Sequence, residues 1–335
     1  MNLSTERTGW VPRPLDAELT DYLPQPLTAE VNVGWLTADG AVRLSGSGHA
    51  RYVLEKLTAA FAHYHPQVRF AIELKGTPTA MAFAINDKAM FSVMGREITP
   101  MESVPWRKQR GAEPLGIRVA GAALDTRQHL ATSLAVYVHH ANPLARISLS
   151  QLSRIFTAGN SGGDYSRWGQ LGLGGDWADR RIVPLTTQQY SGFGSYMQKH
   201  HFGGRALSAD CEYLVGTDRL LERLEQEPSA ICVAAIGRET ALLRALPLAV
   251  DDAGPWLNGT VDEMTAGDYA LGRYLWFYQA IRHGGGLDAL QRAFLRFTLS
   301  RQGQQIIASQ PDGYLPLSAA DARAELLQLD LAEGA

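Results

Sequence analysis

Cysteine is nearly absent from this chain, with Cys211 and Cys232 alone among 335 residues. That scarcity excludes a thiolate metal cluster and a dense disulfide framework. A single bridge stays open, but Cys232 lies inside the apolar run AICVAAI and reads better as a buried small hydrophobe. Long apolar runs are missing as well: none approaches the roughly 20 residues needed to span a bilayer. The opening MNLSTERTGWVPRPLD has no apolar core of a secretory signal, so the chain reads as a cytosolic protein or as an exported one without its leader. Excess positive charge is absent too. With 31 Lys and Arg against 34 Asp and Glu, the net charge is −3, which leaves no global field to gather nucleic acid or an anionic membrane. No internal repeat and no low-complexity tract is visible. What remains is an ordinary globular composition, 45% hydrophobic and 19% charged, with enough chain for two lobes.

Residues 1–38 are rich in proline, as in VPRPLD and YLPQPLT, and read as an extended arm with at most one short strand. From AVRLSGSG onward the pattern alternates. That run is a strand entering a glycine turn, and ARYVLEKLTAAFAHYH follows with Tyr52, Leu54, Leu57, Ala60 and Phe61 near one helical face. VRFAIELKG, TPTAMAFAINDKA and MFSVMG repeat the strand, helix, strand order. SLAVYVHHANP reads as a buried strand, SLSQLSRIFTAG as a helix capped by Ser148 or Ser150 and closed by Gly159. RRIVPLTT is a strand before a polar turn and a short helix; TDRLLERLEQEP is an amphipathic helix, AICVAAI a strand, and GRYLWFYQAI a strand-to-helix stretch. DALQRAFLRFTLSRQGQQIIASQ is the longest helical pattern. Alternating strands and helices predict an α/β fold with mostly parallel sheets.

Three strand-to-helix turns are rich in Ser, Thr and Gly: Ser45-Gly46-Ser47-Gly48, Gly76-Thr77-Pro78-Thr79 and Ser191-Gly192-Phe193-Gly194-Ser195. The first N–H groups of a helix have no partner in the chain and the helix dipole adds positive potential, so a small oxyanion can sit at such a turn without a lysine. Glycine lets the backbone approach and hydroxyls add donors. Each turn taken alone is equally well explained by simple capping; three together point to anion binding.

Here the residues resemble a known family, the phosphate-binding proteins of bacterial phosphate ABC importers, over about Leu44 to Leu317. SGSGHA followed by FAHYHPQV is similar to the family's first turn and the lead into its second strand. ANPLARISLSQLSRIFTAG and RRIVPLTTQQYSGFGSYM resemble two later segments, and FLRFTLSRQGQQIIASQPDGYLPL is very close to its ending. The resemblance implies a two-lobed periplasmic-binding-protein fold, each lobe a mixed, mostly parallel sheet flanked by helices, with the ligand held between the lobes. It sets an arm at 1–38, lobe 1 at 39–132 plus 247–335, and lobe 2 at 133–246. It also implies a monomer located in the periplasm or elsewhere outside the cytoplasm, with an ABC permease as partner.

Carried over by position, Ser45 and Ser47, then Thr77, then Ser191 and Gly192 become ligand-binding candidates, and Arg96 in MGREITP is placed as a bidentate charge partner. A surface arginine is the plainer account of Arg96. The chain departs from the family where Thr187 replaces an Arg before the third turn, Phe193 replaces a Thr within it, Met90 replaces an Asp and Gly95 a Ser. At Thr187 and Phe193 a strong donor and a hydroxyl are gone, which weakens the case for phosphate and leaves three expectations: a different oxyanion, an organic ester packed on Phe193, or a pocket without tight binding. No cofactor and no metal is expected. Adjacent histidines, His139-His140 and His200-His201, diverge on either a strand or a helix. His63 and His65 read as solvated, and His139, at the end of a strand expected to cross between lobes, is the histidine of most interest. GFGS at 192–195 lacks the central serine of a hydrolase elbow, so no catalysis is read. The rival expectation is an interaction protein on the same fold that has lost the anion site and binds a protein partner through its surface or arm.

Overall fold

The computed structural model describes residues 13–27, 34–124, 130–187, 192–279, 287–310 and 313–333. Chain contacts divide them into two units: unit 1 from Met1–Arg96, Glu102–Ala131 and Tyr274–Ala335, and unit 2 from Glu97–Met101 and Thr132–Arg273.

Along the chain, β1 (Val42–Gly46), α1 (Arg51–Tyr64), β2 (Phe70–Glu73), α2 (Thr77–Ile85), β3 (Phe91–Met94), α3 (Pro100–Arg110) and β4 (Leu115–Gly121) come first. Next follow β5 (Leu134–His139), β6 (Ile147–Ser148), α4 (Leu149–Phe156), β7 (Val183–Thr187), α5 (Gly192–His200), β8 (Glu212–Leu214), α6 (Thr217–Gln226), β9 (Ala230–Ala235), β10 (Leu243–Leu246), β11 (Leu248–Ala249) and α7 (Val261–Thr265). The chain closes with β12 (Tyr274–Gln279), α8 (Ala289–Leu299), α9 (Arg301–Ala308) and α10 (Ala319–Glu333).

Unit 1 has a five-stranded sheet in the order β2-β1-β3-β12-β4, in which β12 alone runs antiparallel to its neighbours. Its core joins Leu44, Phe91, Val93 and Phe277 from the sheet to Leu54, Leu57 and Phe61 of α1 and Phe294 and Phe297 of α8. Helix α1 forms because its apolar positions recur on one stripe, burying Val53, Leu54, Leu57 and Phe61. It stops before Pro66, which disfavours helical geometry at His65.

The long helical pattern near the end is two helices. Ser300 is extended (φ −76°, ψ 169°), its hydroxyl accepts the Gly303 N–H at 3.4 Å, and it donates to the Phe297 carbonyl at 2.6 Å, so it closes α8 and caps α9. Gly303 is required at this corner, since a Cβ there would lie 2.3 Å from the Phe297 carbonyl oxygen. Helices α3 and α10 lie in stretches where no sequence pattern announced them.

Unit 2 repeats the plan: its sheet order is β10-β5-β9-β7-β8, with β5 antiparallel to both neighbours. Read from the other edge, β8-β7-β9-β5-β10 has the same strand order and directions as β2-β1-β3-β12-β4, although β5 comes first among the sheet strands of unit 2 and β12 last among those of unit 1. Thus β7-α5-β8-α6-β9 matches β1-α1-β2-α2-β3. This repeat was invisible in the sequence as a whole, yet equivalent turns carry Gly76-Thr77 and Gly216-Thr217, and Gly95-Arg96-Glu97 and Gly237-Arg238-Glu239. Gly76 and Gly216 adopt nearly the same backbone, φ 98° and ψ 159° against φ 83° and ψ 160°. Only glycine tolerates that conformation without strain.

The division differs from the sequence expectation in three places, the first being Glu97–Met101, which falls in unit 2. Residues 247–273 pack in unit 2, where β11 pairs with β6 and Tyr269 and Leu271 enter the core. The described part of the arm packs on unit 1: Tyr22 meets Phe61 and Phe297, Arg301 donates to the carbonyls of Ala17 and Leu19, and Asp16 accepts the Ala319 N–H at 2.9 Å.

Candidate functional site

In unit 1 the candidate residues gather at the carboxyl ends of three neighbouring parallel strands. The chain runs from β1 to β2 on one side and then from β2 across to β3 on the other side of β1, the kind of reversal at which open α/β sheets bind ligands. Ser45 is fully buried and its hydroxyl donates to the Glu73 carbonyl at 3.3 Å, tying β1 to β2. Gly46 follows, where a Cβ would stand 2.9 Å from the Val93 carbonyl oxygen; its absence lets the turn lie directly against β3. Ser47 donates its N–H to the Val93 carbonyl at 2.9 Å, and its hydroxyl caps the short helical turn Gly48–Ala50 by accepting the His49 N–H.

The Gly76 N–H donates to the Gly46 carbonyl at 3.1 Å, which brings the second turn beside the first. Thr77 opens α2, a helix with no side-chain cap, so the initial N–H groups there look for an outside acceptor. Arg96 follows β3 and forms a fork with Glu102, at 2.9 and 2.7 Å, with both side chains mostly buried. The structure thus brings Ser47, Thr77 and Arg96 to one strand-end edge, and gives Arg96 a carboxylate partner of its own.

In unit 2, Thr187 ends β7 and is buried, and Gly192 and Phe193 lie in the first turn of α5. Ser191 lies outside the described residues. Two positions that sequence reading passed over occupy the equivalents of Thr77 and Arg96. Thr217 opens α6 after Gly216, again without a side-chain cap, and Arg238 follows β9 and pairs with Asp218 at 2.5 Å. The repeated Gly-Thr and Gly-Arg-Glu strings were the available signal.

Behind α5 sits a buried ionic pair, Arg273 and Glu97, at 3.0 Å. The Arg273 guanidinium also covers the Tyr196 ring at 4.7 Å, and the Tyr196 hydroxyl lies 3.1 Å from His201 Nε2. Burial is the main cause that pulls His201 down to about 4, with the neighbouring His200 adding to it, and burial also lowers His200.

Among the described residues no group of three or more His, Cys, Asp and Glu could hold a metal. His139 closes a local turn by accepting the Ala141 N–H at Nδ1, 2.9 Å away. His65 is buried, in contrast to the expectation of a solvated ring, because Tyr22 of the arm covers it and its hydroxyl meets Nε2 at 2.7 Å. Cys211 and Cys232 are both free and buried, in keeping with Cys232 as a small hydrophobe. No helix is long and apolar enough to cross a membrane among the described residues.

Two α/β units of shared topology, each with turns rich in small hydroxyl residues at its parallel strand ends, define the class of a two-lobed solute-binding fold. A PBP superfamily domain matches residues 32–302, and the chain belongs to that superfamily. It is 27% identical over 274 residues to the phosphate-binding protein PstS of Pseudomonas aeruginosa, covering 81% of each chain. Its fold is similar to an ABC-type phosphate transport receptor from Vibrio cholerae, with a TM-score of 0.53, 18% identity, and 82% of this chain and 99% of that one covered. PstS from Borrelia burgdorferi gives a TM-score of 0.52 at 16% identity, covering 83% and 99%.

Proposed function

We propose that this protein captures phosphate or a closely related oxyanion, free or on a small organic molecule, and delivers it to an ABC importer or reports it to a sensor. The observation that carries this reading is the pair of adjoining turns at the ends of β1 and β2, joined through Gly76 and Gly46, with Ser47 in the first turn and Thr77 at the uncapped start of α2. The likeness to PstS over most of the chain supports phosphate as the ligand. Neutral N–H and hydroxyl donors carry the binding in this proposal, with Thr77 in unit 1 and Thr187, Ser191, Gly192 and Phe193 in unit 2 as contributors. Arg96 joins only where its fork with Glu102 opens. Capture needs no bond making or breaking, and the location that suits it is the periplasm or its equivalent. The protein-partner alternative loses its main surface, since the described part of the arm is held by unit 1 itself.

The test is calorimetry on protein freed of ligand by unfolding and refolding, titrated with phosphate, sulfate and a phosphate monoester. Micromolar or tighter binding of phosphate, weakened about tenfold or more by Thr77→Ala or Ser191→Ala, is the expected result. An absence of heat with all three anions removes the capture reading.

A further inference from the structure

Unit 2 contains a pocket of about 560 Å³ away from the strand-end turns. Its polar wall is made by Arg154 of α4, Ser161 of the following loop, His200 and His201 at the end of α5, and Arg205. Leu149, Val250 and Ala270 supply an apolar wall. Among the described lining residues there is no carboxylate. The nearby acids have partners of their own: Asp252 accepts the hydroxyls of Ser148 and of the lining residue Ser150 at 2.5 and 3.1 Å, Asp164 accepts the N–H groups of Gly159 and Asn160 at 3.0 and 2.9 Å, and Glu97, whose charge reaches His200 and His201, pairs with Arg273 at 3.0 Å.

Arg154 is held in one orientation. Its Nε donates to the Gly163 carbonyl at 2.7 Å, Nη1 to the Tyr165 hydroxyl at 2.7 Å, and Nη2 to the Gly162 carbonyl, while the guanidinium stacks 3.9 Å over the Tyr165 ring. Three of its five N–H groups are used, so a fixed cation keeps two donors. Arg205 makes one longer bond, from Nη1 to the Phe202 carbonyl at 3.3 Å, and is otherwise exposed at the rim. His201 is fixed through Nε2 by Tyr196. The surplus is therefore one of donors and positive charge beside an apolar wall, the arrangement that recognises an oxyanion head with a short organic body.

We infer that this pocket is a second anion site, which takes a small organic phosphate with its head at Arg154 and Arg205 and its apolar part against Leu149, Val250 and Ala270. The number of donors favours phosphate over carboxylate, which presents fewer oxygens. The inference is independent of the capture function: the candidate turn lies at the start of α5 and this pocket at its end, ~13 Å away along a nine-residue helix.

The experiment follows the imidazole signals of His200 and His201 by NMR in the full chain with labelled histidine, during titration with phenyl phosphate and, in parallel, benzoate. Both signals are expected to move with phenyl phosphate, at concentrations at least about tenfold lower than with benzoate. Arg205→Met, a change at an exposed side chain, is expected to weaken the response about tenfold, while Thr77→Ala leaves it unchanged. Ser161→Leu, at the exposed mouth, serves as a second variant if Arg205→Met melts early. Signals that stay in place up to about 10 mM phenyl phosphate, or that move equally in wild type and variants, overturn the proposal; stronger binding of benzoate overturns its choice of ligand.

Discussion

Gln304 offers a sharp test of how unit 1 is held together. The side chain is fully buried in α9 and serves three backbone groups from three places: Nε2 donates to the carbonyls of Val119 at 3.1 Å and Thr298 at 2.9 Å, and Oε1 accepts the Leu317 N–H at 2.7 Å. It joins β4, the end of α8 and the segment before α10. Gln304→Leu keeps the volume and removes all three bonds. A buried backbone group left unpaired costs about 1–3 kcal/mol. The added apolar surface offsets about 1–2 kcal/mol of the total. At a mid value of about 2 kcal/mol for each of the three groups, the expected net loss is about 4–5 kcal/mol, which at a urea m-value of about 2 kcal/mol per M lowers the unit 1 midpoint by roughly 2–2.5 M. The assay is urea unfolding followed by far-UV circular dichroism and fitted with separate transitions for the two units, since a chain of two units need not unfold in one step. Gln305→Leu, one position on and exposed, is the control and should shift the midpoint little. A shift below about 0.5 M for Gln304→Leu, or an equal shift for the control, would refute the reasoning.

Gly303→Ala should destabilise unit 1 by about 2–3 kcal/mol, because its Cβ would meet the carbonyl oxygens of Phe297 and Thr298 at 2.3 and 2.4 Å; an unchanged melting temperature would show that the α8 to α9 corner is looser than described. Tyr22→Phe removes the 2.7 Å bond to His65 and leaves that buried ring without this partner, for a loss of about 1–2 kcal/mol in the same urea assay; no loss would mean that the arm adds little to unit 1. Burial depresses His201 to about 4, so the folded state resists the proton that the unfolded chain accepts near 6.5. That stability is fully present above about pH 6.5 and falls as pH drops towards 4, by on the order of 2–3 kcal/mol. His201→Gln should flatten this part of the unit 2 stability profile, and an unaltered slope between pH 6.5 and 4 would assign the pH dependence to other groups.

The sequence by itself determined β1, β2, β3, β5, β7 and β9 and most helices, because their signals are local: a stripe in α1, a continuous buried run in β5 and β9, and a serine cap, Ser148 or Ser150, at α4. It also marked the serine and glycine turns, since a glycine next to hydroxyls before a helix is a short-range signal. Helix α10 escaped because its apolar residues form no single stripe: Leu329 is buried while Leu327 and Leu331 face solvent. The break at Ser300 escaped because the period of α9 carries on that of α8, and only the carbonyls of Phe297 and Thr298 closing on Gly303 reveal the corner. Strand order and the shared topology of the two units were decided by tertiary structure alone, as hydrogen bonds between distant strands leave no local trace. The same holds for Arg96 and Arg238. Each follows a strand in a Gly-Arg-Glu string, but the carboxylate each one pairs with, Glu102 or Asp218, is fixed by how the chain folds back, and sequence spacing does not carry that geometry.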